Sequence, residues 1–460
     1  MEKLPLSILV LVLVICLTIT GCSIFGRKKE LKPFTSGVIH PEWSENSVIY
    51  EVNIRQFTPE GTFNAFAAHL PRLKELGVDL LWLMPINPIG VTNRKLPLGS
   101  YYSVRDFEDV NPEFGNLEDF KNLVSKAHEL GFHLIIDWVP NHSSWDNKLT
   151  VDHPDWYVKD ANGNFIPPVG TDWTDVIQFD WSNKALQDYM IDALKFWINI
   201  GVDGFRVDHP HQTPYVFWER ARAELLKIKP VFMIAENEDQ TDFMKNGFDM
   251  SYAWELHHLM NNIAQGKDSV KILSKYYLKE WAVFPQNVYR MVFLDNHDEN
   301  SWNGTINSRM GDAQKAFAVF TFTTQGVPLM YNGQEACLSK SLRFFDRDTI
   351  KWDTCALTSF YKNLIKLKKS NIALSNGEFG AKMVMLKTNN DRRVFCYSRE
   401  KEGNRVLVFL NLSKKAVAIK PSLDNFKDEY TDYFAKTKTT IPLSDSLRLE
   451  PWGYKVLVKN

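Results

Sequence analysis

Four acidic residues, Asp137, Asp208, Glu236 and Asp298, each stand at or just beyond the end of a short apolar run, with Asn141, His142, Arg206 and His297 close by in sequence. Any one of them alone reads as a helix cap or a solvated loop carboxylate. Four at equivalent places describe a cup of carboxylates, and the few imidazoles among them make a poor set for a transition metal. Carboxyl groups gathered in this way do proton transfer and nucleophilic work when their surroundings pull their pKa values apart.

The elements that must position this cup alternate between strand and helix signals. Ser47–Asn53, Asp79–Met84, His133–Asp137, Val202–Val207, Val231–Ala235, Phe248–Tyr252, Arg290–Leu294 and Val327–Tyr331 are strand candidates, nearly all apolar, as strands covered on both faces must be. Helical periodicity separates them, for example Phe63–Leu76 closed by Gly77 and Leu117–Leu130 closed by Gly131. Eight such units predict an α/β fold of the (β/α)₈ TIM-barrel class, in which strand C-terminal ends supply the chemistry. Residues 142–182, rich in Asp, Asn, Pro and Trp, break the rhythm as a small subdomain inserted after the third strand. From about Gly377 the helices vanish, and Met383–Leu386, Val394–Ser398, Val406–Leu410 and Tyr454–Val458 predict a C-terminal antiparallel β-sandwich. The expected domains are a barrel over 45–375 and a sandwich over 376–460.

Asp137-Trp-Val-Pro-Asn141-His142, Gly204-Phe-Arg206-Val-Asp208, Met233-Ile-Ala-Glu236 and Phe293-Leu-Asp-Asn296-His297-Asp298 resemble, in order and in placement, the four conserved blocks of the α-amylase family of glycoside hydrolases (family 13 type). The likeness extends to Val48–Pro85, to Gly326–Glu335 and to the β-rich tail. It implies a retaining glycosidase acting on α-1,4-linked glucans, polysaccharide or oligosaccharide. On that resemblance Asp208 is the nucleophile, Glu236 the general acid and base, and Asp298 the group that favours the distorted sugar ring. Arg206, two residues before Asp208 on the same strand face, would hold it ionised, and the apolar flank Phe232–Ala235 suits a protonated Glu236. Asp137, Arg206, His142 and His297 are implied on the substrate side, the two histidines as hydrogen-bond donors. Tyr102 is implied as the ring stacked under the sugar, with Tyr101 the alternative. Two other readings stay open: an α-glucan transglycosylase or branching enzyme with the same intermediate, and a non-catalytic glycan-binding protein.

The chain also departs from the family pattern. His211-Gln212 stands where Lys-His is usual after the nucleophile, and Gln178 replaces an acidic calcium ligand of the inserted subdomain. Of the expected ligands only Asn141 is in place, so no metal is required for the chemistry and calcium, if bound, is expected to be held weakly. Trp156, Tyr157, Trp173 and Trp181 are expected to hold the subdomain instead.

At the N-terminus, Lys3 precedes the unbroken apolar run Ile8–Leu17, too short to span a bilayer of about 30 Å. Ile19-Thr20-Gly21-Cys22 resembles a bacterial lipobox, which implies a signal peptide over 1–21, lipidation of Cys22 and a linker over 22–44. The expected place is the cell envelope, as a membrane lipoprotein (on the outer membrane in a Gram-negative cell) with the catalytic domain outside the cytoplasm. Lys plus Arg number 54 against 55 Asp plus Glu, a net charge of −1, which argues against nucleic acid as a partner. Apolar residues at 44% and charged residues at 24% exclude wholesale disorder. Aromatic content of 13%, with 14 Trp, suits both a large core and the apolar faces of sugars. Beyond Cys16 and Cys22, the widely spaced Cys337, Cys355 and Cys396 are expected to be buried free thiols.

Overall fold

The barrel closes because eight short strands are apolar on both faces and each needs a neighbour on either side. They are Ile49–Val52, Leu80–Leu83, His133–Trp138, Gly204–Val207, Phe232–Ala235, Met250–Tyr252, Tyr289–Phe293 and Val327–Tyr331, and the first pairs in parallel with both the second and the eighth. The computed structural model describes residues 34–441 and 446–459. The expected signal peptide, Cys22 and the first part of the linker lie outside the described residues.

Side-chain parity sorts each strand. Ile49, Ile135, Phe232, Ile234, Met291 and Phe293 fill the interior, while Tyr50, Leu134, Phe205, Met233 and Val292 meet the surrounding helices. The same alternation, carried to the C-terminal mouth, points Glu51, Asp137, Arg206, Asp208 and Glu236 inward. Gly204 makes the register possible: at φ +152° its missing Cβ would sit 1.9 Å from the Phe232 carbonyl oxygen. The Gly204–Phe232 pairing then sets Arg206 against Ile234 and places Asp208 and Glu236 side by side.

The barrel floor is closed by the segment before the first strand. Trp43 stacks on His133 and tilts against Phe232, and His40 binds Asp249 and the Asn287 carbonyl. After the third strand, His142–Ser144 and Val176–Gln178 form a two-stranded ribbon. Trp156, Tyr157 and Trp181 of this insertion are buried in the main core, whereas Trp173 is half-buried and turns to the mouth. The C-terminal region is a six-stranded antiparallel sheet, ordered Met383–Leu386, Val394–Lys401, Asn404–Asn411, Tyr454–Lys459, Glu429–Asp432, Lys438–Thr440. Phe395, Tyr397, Val406 and Val408 face the barrel core, while Val394, Cys396, Leu407 and Phe409 pack on the ribbon of Val417–Ile419 and Leu447–Leu449.

The cysteine expectation fails in part. Cys337 and Cys355 form a disulfide, and among the described residues Cys396 alone is a buried free thiol. Their separation of 18 residues hid the pairing, because the loop between them doubles back over the mouth and brings the ends together.

Candidate active site

The strand ends deliver their charges to one point. Arg206, fully buried, donates from Nη1 to Asp137 (3.0 Å) and Asp208 (3.1 Å) and from Nε to the Tyr252 hydroxyl (2.9 Å), while Nη2 lies 2.8 Å from Glu236 Oε1. One guanidinium thus faces three carboxylates from three strands. Oxygens of Asp208 and Glu236, with a ring nitrogen of His209, all lie within 4.8 Å of one another. Above them opens a cleft of about 500 Å³, lined by Tyr102, His142, Trp173, His297, Asp298 and Trp302 among others.

Burial pushes Asp208 up to about 7, and the neighbouring Glu236 charge adds to it. Burial would raise Glu236 too, but Arg206, His209 and the His209 backbone N–H (3.1 Å) outweigh it and hold Glu236 at about 2. The two therefore titrate as one coupled pair, with Asp208 pushed up by burial and Glu236 pulled down by Arg206 and His209 in this substrate-free arrangement. Asp137 is raised to about 6 by burial, against the pull of Arg206. Burial opposes the charged form of His297, yet Asp298 and Glu51 raise it to about 9.

The expected residues converge, with differences of depth. Asp208, Glu236, Asp298, Tyr102, His142 and His297 line the cleft. Asp137 and Arg206 do not: both are sealed behind its wall, where Asp137 also accepts from the Tyr102 hydroxyl (3.1 Å) and Trp82 Nε1 (3.3 Å). Their inward parity was legible, but their depth, set by the strand length above them, was not. Tyr102 is the cleft ring, while Tyr101 is buried and holds Arg55 over its face. His142 donates from Nε2 to the Tyr102 carbonyl (3.1 Å), so that donor is spent within the protein, and burial lowers it to about 3.

Sequence reasoning missed several members. Glu51 lies 2.5 Å from His297 Nδ1; the signal was a charged residue at inward parity in an otherwise apolar strand. His209 adopts the left-handed region (φ 39°), which turns its backbone N–H to Glu236. Trp302, Phe344 and Phe345 form one wall, the last two from the disulfide-closed loop. A larger cavity of about 670 Å³ lies between the barrel floor and the terminal sheet. Its arginines are committed, Arg290 to Glu280 and Arg399 to backbone carbonyls, so size does not mark the chemistry.

For calcium, the residues implied by the resemblance fit poorly. Both side-chain polar atoms of Asn141 and Oε1 of Gln212 are buried without a hydrogen-bond partner among the described residues, but the Gln178 oxygen already accepts from the Val169 N–H (3.0 Å). Neutral amides, one of them already committed, are a weak set for a hard divalent ion.

The family model described as "Alpha amylase, catalytic domain" matches residues 39–404, and that of the "Maltogenic Amylase, C-terminal domain" matches 383–456. The chain is 28% identical over 398 residues to the alpha-amylase MalA of Haloarcula japonica, covering 82% of this chain but only 57% of that protein's length. It is 30% identical over 435 residues to a cyclomaltodextrin glucanotransferase of Bacillus licheniformis, across 85% of this chain and 55% of that one. The solved noncanonic maltogenic alpha-amylase AmyB of Thermotoga neapolitana aligns with a TM-score of 0.82 at 28% identity, over 90% of this chain and 98% of that chain.

Proposed function

Because this chain belongs to the alpha-amylase family of glycoside hydrolases, we propose that it hydrolyses α-1,4-glucosidic bonds of starch-like glucans or maltooligosaccharides with retention of configuration. The observation that carries the reading is the spacing of Asp208 and Glu236, whose oxygens approach within 4.8 Å. Retaining enzymes hold their carboxyl groups about 5–5.5 Å apart, inverting ones leave room for a water at about 6.5–9.5 Å. Asp208 attacks the anomeric carbon as the glycosidic C–O bond breaks, and Glu236 gives its proton to the departing oxygen. Water then attacks the glycosyl–Asp208 ester, Glu236 recovers the proton, and the ester bond breaks.

That first step needs the proton on Glu236, whereas burial of Asp208 and the pull of Arg206 on Glu236 bias the pair the other way, opposite to the expectation that Arg206 keeps Asp208 ionised beside a protonated Glu236. Moving it from Asp208 to Glu236 leaves the net charge of the site unchanged, and a developing oxocarbenium ion beside Asp208 favours the move. Asp298, half-exposed in the cleft, has an oxygen free for sugar hydroxyls.

Trp302, 58% exposed beside Phe344, offers an acceptor sugar a ring face, and this supports transglycosylation as a second reading. Proton NMR of fresh products from maltoheptaose tests both. Initial release of α-anomers is expected; β-anomers would overturn retention, and products longer than the substrate would favour transfer. The intact carboxylate set argues against a purely binding role.

Envelope location is proposed on the lipobox resemblance and is supported by the Cys337–Cys355 disulfide, since such bonds persist outside the reducing cytoplasm. Among the described residues no helix is long and apolar enough to cross a membrane. Mass spectrometry of the mature N-terminus is expected to find a diacylglyceryl group on Cys22, absent in Cys22→Ser. An unmodified Cys22 in the wild type would refute the anchor.

A further inference from the structure

Glu51 is an expensive residue for a barrel interior. It is fully buried on the first strand, with one carboxylate oxygen 2.5 Å from His297 Nδ1 and the other without a hydrogen-bond partner among the described residues. An unpaired buried carboxylate oxygen costs free energy, and a neutral Gln or an apolar residue would avoid the charge.

The proton bookkeeping around His297 shows what the charge does. Tyr102 Oη lies 3.1 Å from Asp137 and 2.8 Å from His297 Nε2; with its one hydrogen given to Asp137, the shorter contact is filled by a proton on Nε2, in keeping with the upward shift of His297. Burial pushes Glu51 up, while the facing His297 and Arg206 pull it back down; as a carboxylate it accepts from Nδ1 at 2.5 Å, so Nδ1 carries a proton as well. The ring is then an imidazolium, a donor on both sides.

We propose that Glu51 is a positioning residue of the reaction: from beneath the cleft it fixes the orientation of His297 and makes it a two-sided donor, so that its Nε2 edge holds Tyr102 and Asp298 in place on the cleft wall. This deepens the glycosidase reading and rests on it. The groups that face His297 are Glu51 on the first strand, Asp137 on the third, Arg206 on the fourth, Glu236 after the fifth, Tyr102 on the loop above, and Asp298 beside it on its own helix. Arg206 opposes the imidazolium, and Asp298 and Glu51 favour it. Of the two favouring carboxylates, Asp298 acts from the half-exposed cleft side, whereas Glu51 is sealed from water and is the one that hydrogen-bonds the ring.

Glu51→Gln preserves shape and a hydrogen-bond acceptor while removing the charge. It is expected to lower kcat/KM on maltoheptaose about 10- to 100-fold, with the alkaline limb of the pH profile moved at least one unit toward acid. In a His297→Asn background the same change should cost less than about twofold, because a residue acting through His297 has nothing left to act on. An unmoved alkaline limb, or losses that multiply in the double variant, would overturn the proposal in favour of a merely structural carboxylate. A readout on the wild type does not depend on Glu51→Gln folding: ¹⁵N-histidine NMR, with His297→Asn to assign the signal, should show both ring nitrogens of His297 protonated at pH 7. A singly protonated ring there overturns it. If the wild type shows no α-glucan activity that Asp208→Asn abolishes, the glycosidase reading fails instead, and the NMR result still decides whether Glu51 sets the charge of His297.

Discussion

The two ends of the barrel use the same residue types to opposite effect. At the floor, Asp249 receives Arg222 through Nη1 (2.5 Å) and Nη2 (3.1 Å), His40 Nδ1 (2.8 Å) and the Met233 N–H (2.8 Å). Burial pushes its carboxyl up, but these partners outweigh it and hold it below the ordinary value. Asp203, just before the fourth strand, is likewise lowered by His128, Lys229 and the Leu134 N–H. At the mouth one Arg206 is divided among Asp137, Asp208 and Glu236, so Asp208 is left high and Glu51 keeps an unpartnered oxygen. Asp249 and Asp203 are thus saturated at the floor, whereas the carboxylates that share Arg206 at the mouth are undersupplied. That shortfall leaves a proton free to move and marks a site.

The sharpest break of this comparison exchanges one carboxylate at each end. Asp208→Asn is expected to cut turnover by more than about 10³-fold while leaving the fold intact. Asp249→Asn leaves Arg222 buried beside a neutral partner and is expected to cost about 3–5 kcal/mol of stability. The pH dependence separates them further. The raised pKa of Asp208 penalises its ionised form in the folded state; the penalty is absent below the unfolded value of 3.8 and grows until about pH 7. Asp208→Asn escapes it, so its melting point should exceed that of the wild type at pH 8 and match it near pH 4. Asp249, with a lowered pKa, contributes stability that is present above its unfolded value and lost only as pH falls through the folded one. An Asp208→Asn variant with more than a tenth of wild-type turnover, or an Asp249→Asn variant as stable as the wild type, breaks the comparison.

The next effect concerns the wall rather than the carboxylates. The Cys337–Cys355 bond closes the loop carrying Phe344 and Phe345, which is also held by Leu342 N–H to Asn300 (2.8 Å), Gln56 to the Arg343 carbonyl (2.7 Å) and Leu98 N–H to the Phe345 carbonyl (3.2 Å). Closing a loop of this length restricts the unfolded chain by about 3 kcal/mol. Replacing both cysteines with serine should therefore lower the melting point and raise KM several-fold, while kcat, set at the strand ends, changes by less than about twofold. A kcat that collapses with the bond would show that wall and carboxylates are not separable.

Strand existence and the convergence of Asp137, Arg206, Asp208 and Glu236 were legible because parallel strands need unbroken apolar runs and period-two parity fixes which residue turns inward. Asp298 and His297 were legible through the block they share. What escaped depends on three-dimensional return. Phe344 and Phe345 lie in a loop without a periodic signal, and their disulfide joins cysteines whose spacing fits no framework. Trp173 carries the same aromatic signal as Trp156 and Trp181, yet those two pack in the core while it turns to His142 and His209. Sequence gives the ring but not the side it shows.

The smallest expected effect tests the insertion that Trp156, Tyr157 and Trp181 hold from within. Their burial in the main core gives the subdomain an apolar footing that does not depend on an ion. The amides near it are a poor substitute for a metal cage: Gln178 is committed to Val169, and Asn141 and Gln212 bring unpartnered but neutral groups. At an effective dielectric of about 20 and a separation of about 2.4 Å, exchanging a carboxylate for an amide forfeits several kcal/mol of attraction to a divalent cation before desolvation is subtracted. Even about 4 kcal/mol is roughly a thousandfold in affinity, enough to move a micromolar site into the millimolar range. A ligand stabilises only as far as its concentration exceeds its dissociation constant, so EDTA should move the melting point by less than about 2 °C. A fall of about 10 °C that calcium alone restores would show that Asn141 and Gln212 are ligands of a tight ion, and that the insertion is held by charge at its base as well as by its aromatic core.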